Sequence, residues 1–227
     1  MRRASLRELQ SAVHEVKALL RGVDVVRDDT TLRLAYADRV AVPVYVAGAS
    51  DRTHRMSGEV ADGALVAGAV DELATSVAAI RAGERDAGRP DRSTQVALFT
   101  TACLDENEAA AREAVRPVVA RKAINSLGRR ARLGTLDPSD QEPLDRLRDA
   151  YDTHHHMEAR YNELVPDRWV DRFSVAGSPG RVLDRCRQAA SDGADQVAVV
   201  FAGEDPEAQM RAFADAVIAP MKRTAQA

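Results

Sequence analysis

The chain has 227 residues, 45% hydrophobic and 30% charged, the balance of a globular protein with enough length for one substantial core and not that of a disordered chain. Its 32 Lys and Arg against 35 Asp and Glu leave a net charge of -3, which offers no basic footprint for nucleic acid. No apolar run approaches the ~20 residues of a membrane span, and Met1-Arg2-Arg3 leads into an amphipathic segment instead of an apolar signal core, so the expected location is the cytoplasm.

Leu6, Leu9, Val13, Val16 and Leu20 recur at helical spacing, which predicts a helix over Ser5–Arg21 with Gly22 as its stop. Asp24–Val40 is polar with short β-like pieces, an excursion with room for a small hairpin. The stretch Val42–Gly68 then reads as strand, tight turn, helix, strand. Val44-Tyr45-Val46 is a short β-branched and aromatic run of the kind buried on both faces of a parallel sheet. Ala47-Gly48-Ala49-Ser50 are small, so the backbone can turn sharply and be approached closely. Ser50 or Asp51 can cap the following helix. Gly63 ends that helix, and Ala64–Ala67 is the next strand. In parallel α/β proteins the edge where such strands end is where ligands bind.

A helix follows over Asp71–Ala87, then a turn at Gly88–Asp91 and a third strand at Gln95–Cys103. Asp105 to about Gly128 is a long Ala-, Glu- and Arg-rich helix. Gly134–Pro143 reads as a loop broken by Asp137-Pro138 and Glu142-Pro143, and Leu144–Leu164 as helix. Pro179–Ser191 is helical, Gln196–Phe201 is the fourth strand, and Pro206–Arg223 the closing helix. Strands alternating with helices specify parallel α/β. With no linker or composition shift, residues 1–227 are read as a single domain. Cys103 and Cys186 lie far apart in apolar contexts, as buried thiols of a reducing compartment.

PVYVAGAS, a helix and EVADGALVAG resemble the fifth and sixth βα units of the luciferase-like flavin and deazaflavin oxidoreductases. A second similarity follows in the right order: Arg172-Phe173-Ser174-Val175-Ala176-Gly177-Ser178-Pro179, a helix and GADQVAVVFAG. The resemblance implies a (β/α)8 TIM-barrel architecture of which only the second half, about four parallel strands with outer helices, has a counterpart here. It implies that the chain is a fragment, or a half-barrel completed otherwise by a missing N-terminal half or by forming a homo-oligomer. It implies FMN or the deazaflavin coenzyme F-420 as cofactor, a small-molecule substrate, and monooxygenase or hydride-transfer reductase chemistry. The ring and substrate contacts of such enzymes come largely from the first half, so no catalytic residue is named. The rival reading is a non-catalytic half-barrel that binds a phosphorylated ligand or pairs with a like chain.

Gly48-Ala49-Ser50 is either a phosphate cradle of backbone N–H groups at a helix N-terminus or an ordinary tight turn. The resemblance favours the cradle, with Asp51 turned aside to cap the helix. Gly68 follows the next strand, where relatives use a hydroxyl or Lys that Ala67-Gly68-Ala69-Val70 lacks. Arg172 offers the donor fork that fits phosphate and aligns with a phosphate-binding Arg of some deazaflavin enzymes, or it is a surface Arg paired with Asp167 or Asp171. Ser178-Pro179 read as helix cap and first helical residue. His154-His155-His156 cannot converge on one metal from a helix, since neighbours point about 100° apart, and His14 and His54 read as surface residues. Arg121, Lys122, Arg129, Arg130 and Arg132 form a basic cluster without the interleaved aromatics of single-strand binding.

Overall fold

A computed structural model describes residues 4–35, 37, 42–155 and 158–225. Parts of the Asp24–Val40 excursion and His156 of the histidine run lie outside the described residues. The chain divides into two compact units, residues 1–67 with 74–97 and residues 68–73 with 98–227. The last division, between Ala97 and Leu98, falls inside the strand Gln95–Leu104.

In the first unit, α1 (Leu6–Leu20) starts at a reciprocal capping box, Ser5 and Glu8 each bonding the other's backbone N–H. A hairpin follows, β1 (Val25–Arg27) antiparallel to β2 (Thr30–Leu32). β3 (Tyr45–Gly48) leads into α2 (Asp51–Val60) and β4 (Gly63–Val66), and β3 and β4 pair in parallel with Gly48 opposite Val66. This is the expected βαβ unit. Its core is Val13, Val46, Met56, Val60 and Ala61. α3 (Leu73–Asp86) follows with all but its first residue in this unit; the 3-10 turn Val70–Glu72 before it in sequence belongs to the second. β5 (Gln95–Leu104) begins in this unit, where Gln95 N–H donates to Asp62 O at 3.0 Å, and continues into the other.

In the second unit, α4 (Glu108–Arg132) carries Pro117, and α5 (Pro138–Ala150) carries Pro143. α6 (Asp167–Phe173), β6 (Ser174–Gly177), α7 (Pro179–Ser191) and β7 (Gln196–Phe201) follow. α8 (Pro206–Phe213) passes through a π turn at Ala214–Ile218 into α9 (Ala219–Ala225). β6 pairs with β5 in parallel, Thr101 opposite Ser174, and β7 also pairs with β5. The core collects around Trp169, Tyr161, Phe173, Leu127, Leu144 and Leu147.

Three expectations change. β6 is a further strand, too short for its alternation to register in the sequence. Pro138 and Pro143 do not mark a loop: Pro138 opens α5 and Pro143 lies within it. A proline removes the N–H that would serve the carbonyl four residues back, and here Arg168 Nη2 supplies Ser139 O instead at 2.7 Å. Pro117 in α4 frees Glu113 O in the same way, and Asn162 Nδ2 approaches it at 3.5 Å. Finally, the helix expected over Leu144–Leu164 stops at Ala150. Short 3-10 turns at Thr153–His155 and Ala159–Leu164 replace its second half.

Candidate functional site

In the first unit, Gly48, Ala49 and Ser50 stand where β3 ends and α2 begins. Ser50, not Asp51, is the cap: its Oγ accepts the Thr53 N–H at 3.3 Å and lies 2.9 Å from Thr53 Oγ1. Asp51 is the first helical residue and is exposed. The Gly48 carbonyl accepts from Ala67 N–H at 2.9 Å and lies 3.2 Å from His54 Nε2. His54 is therefore buried, at 3% exposure, contrary to its reading as a surface residue. Its ring lies under the end of β3, where it holds the turn. A Cβ at Gly48 would sit 2.6 Å from Thr53 Cγ2, so that position needs glycine for packing against α2.

In the second unit, Gly68 has open space beside it: a Cβ there meets nothing within 4 Å, and its φ is one any residue adopts. Four residues on, Glu72 accepts Nη2 of Arg130 on one oxygen and Nη2 of Arg172 on the other. Arg172, 17% exposed, also has Asp71 Oδ1 4.0 Å from its Nε and Asp140 Oδ2 3.9 Å from its Nη1. Burial raises the Asp71 carboxyl above its usual range, with Arg172 opposing and Glu72 adding to the rise. Asp140 is itself buried and accepts Trp169 Nε1 at 2.7 Å and Arg168 Nε at 3.0 Å. Arg172 is thus paired with Glu72 and not with Asp167 or Asp171. Those two serve Arg112, Arg116 and Arg181. Glu72 and Asp140, and the pairing of Arg130, escaped the sequence reading; 58 or more residues separate Glu72 from each arginine it meets.

The basic cluster disperses. Arg130 goes to Glu72, and Lys122 points inward, its Nζ donating to Phe173 O at 2.8 Å. Burial pushes the Lys122 ammonium down to about 8, the Arg121 charge adding to it. Ser178 caps α7 by position, but its Oγ is 2.9 Å from Glu108 Oε1 and does not bond the helix. Cys103 and Cys186 are free, buried thiols.

For a phosphorylated cofactor the fit is of two kinds. The Gly68 backbone is open to close approach, and the α2 N-terminus after Gly48 supplies the helix-end polarity that suits an anion. Arg172 is already neutralised by Glu72, so a phosphate reaching it would compete with that carboxylate.

A parallel sheet with helices between its strands defines the class: an α/β protein. Residues 2–196 match the family described as luciferase-like monooxygenase, and the chain belongs to that family. It is similar to the 5,10-methylenetetrahydromethanopterin reductase of Methanolobus tindarius, 24% identical over 193 residues, covering 83% of this chain and 58% of that one. Its fold resembles the coenzyme F420 dependent tetrahydromethanopterin reductase of Methanopyrus kandleri, with TM-score 0.74 and 24% identity over 94% of this chain and 62% of that one. It also resembles the FMN-bound oxygenating constituent of 3,6-diketocamphane monooxygenase from Pseudomonas putida, with TM-score 0.57 and 15% identity over 93% and 62% of the two chains. The chain spans about three-fifths of the length of these relatives. Among the described residues no helix is long and apolar enough to cross a membrane.

Proposed function

We propose that this chain is the phosphate-binding half of a luciferase-like oxidoreductase, equivalent to the second half of a (β/α)8 barrel, acting in the cytoplasm on a small-molecule substrate. Within the first unit, Gly48, Ala49 and Ser50 are the residues that would receive the phosphate end of F420 or FMN through backbone donors; within the second unit they are Gly68, through its backbone, and Arg172, through its guanidinium where a phosphate displaces Glu72. The observation that carries this reading is the open Gly68 backbone after β4, in a chain of a family whose relatives are F420-dependent or FMN-bound. The bound cofactor supplies hydride transfer or oxygen activation. The chain's part is to hold and orient it: His54 fixes the Gly48 carbonyl, and Ser50 and Thr53 fix the first turn of α2. A fluorescence titration of the purified protein with F420, and separately with FMN, tests this. Saturable binding of one of them is expected, and binding of neither contradicts it.

A second reading, association into a homo-oligomer or with a complementary half, is favoured by one specific observation. β7 reads QVAVVF, yet none of its six residues is buried. Val200 is 48% exposed, Met210 57% and Ile218 43%. At roughly 25 cal/mol per Å², covering a few hundred Å² of such surface contributes several kcal/mol to association. Multi-angle light scattering is expected to show a species larger than one chain; a clean monomer at micromolar concentration contradicts this second reading.

A further inference from the structure

We propose that a cleft between α4 and the segment after α5 binds a small carboxylate with a flat apolar body. The cleft is open to solvent, offers about 230 Å³ and is lined by Arg121, Ile124, Asn125, Tyr151 and Thr153. None of these residues belongs to the loops assigned to the cofactor. Arg121, Ile124 and Asn125 stand at i, i+3 and i+4 of α4, so one helix face presents all three.

Among the described residues no carboxylate lines the cleft and Arg121 makes no ion pair. This sets it apart from Arg112, Arg116, Arg130 and Arg172 of the same unit, each of which is paired. The acid nearest in sequence, Asp152, is engaged elsewhere: it accepts the His154 N–H at 2.9 Å and lies 3.9 Å from Arg160 and 4.0 Å from His155. The Arg121 charge acts on Tyr151, whose phenol burial raises and the guanidinium holds back. The wall is fixed in place. The Tyr151 ring packs on Tyr161 with centroids 5.2 Å apart, and the Tyr161 hydroxyl accepts the Asp152 N–H at 3.0 Å.

An Arg fork, an amide and a phenol O–H line one cleft and can all donate, which selects an oxyanion. Ile124 and the Tyr151 ring supply an apolar floor, which selects a flat body over a bare ion. At about 30 Å³ per water, the space equals roughly seven or eight waters, the size of a single-ring acid.

The test is isothermal titration of the full chain with benzoate, with neutral benzamide and with inorganic phosphate. Benzoate is expected to saturate, with benzamide and phosphate each at least tenfold weaker. Arg121→Gln is expected to weaken benzoate at least tenfold and Asn125→Ala several-fold. Both side chains are exposed, so an unchanged melting curve will accompany the loss. Benzoate that fails to saturate, benzamide or phosphate that binds as well as benzoate, or an Arg121→Gln variant that binds like the parent would overturn the proposal.

Discussion

Replacing Gly83 by alanine is expected to destabilise the protein by about 3 kcal/mol or more, at the upper end of what overpacking costs. α2 and α3 cross through glycines. A Cβ at Gly83 would lie 1.9 Å from the carbonyl oxygen of Arg55 and 2.8 Å from its carbon, and one at Gly58 would lie 2.0 Å from Ile80 O. These obstacles are backbone atoms, so no rotamer change relieves them and the helices must separate. The intrinsic gain of alanine over glycine in a helix, about 1 kcal/mol, offsets only part of that. The displaced helix is the one that carries Ser50, Thr53 and His54, so the Gly48 turn is expected to loosen with it. Urea denaturation of the Gly83→Ala variant checks this, and an unchanged midpoint would contradict the close crossing.

A comparable loss, about 3–5 kcal/mol, is expected from Glu84→Ala, because breaking a buried charge pair strands its partner. Glu84 is fully buried. Its carboxylate accepts Thr94 N–H at 2.6 Å, Arg92 N–H at 3.1 Å and Arg81 Nη1 at 2.8 Å, with Ser93 Oγ at 3.5 Å. One side chain therefore satisfies the turn that launches β5. Alanine leaves the Thr94 amide and the Arg81 guanidinium without it, and each unsatisfied buried donor costs about 1–3 kcal/mol. Glu84→Gln keeps an acceptor oxygen and is expected to recover part of the loss. Thermal melts of the two variants, side by side, test the order; equal stability of Glu84→Ala and the parent would refute the role.

Residues 42–68 and 179–201 were legible in the sequence because their signals are local. β-branched runs bounded by glycine made the strands, and small residues followed by Ser-Asp or Ser-Pro made the helix starts. α7 and β7 agree with expectation to the residue. Pro143 misled because the partner that makes it tolerable, Arg168, lies 25 positions on and cannot be paired from sequence. His54 misled because its helix position looked solvent-facing until β3 and α2 were placed together. Nothing local marks Glu84, near the end of its helix, for burial. The Glu72 carboxylate with its two arginines is a contact of the folded chain with no local signature at all. In each case the missing information is tertiary: long-range polar pairing, which composition and periodicity do not encode.

The proposed function places a flavin or deazaflavin phosphate against the Gly68 backbone. Gly68 tests it better than Gly48, where any side chain strikes Thr53 and damages packing as well as binding. The decisive measurement is the dissociation constant of the better-binding cofactor, F420 or FMN, for the parent protein and for Gly68→Leu. Melting temperatures of both should be recorded in parallel. An affinity loss of at least tenfold is expected with the melting temperature unchanged, since the added side chain enters open space. Equal affinity of the two proteins for the cofactor would contradict it.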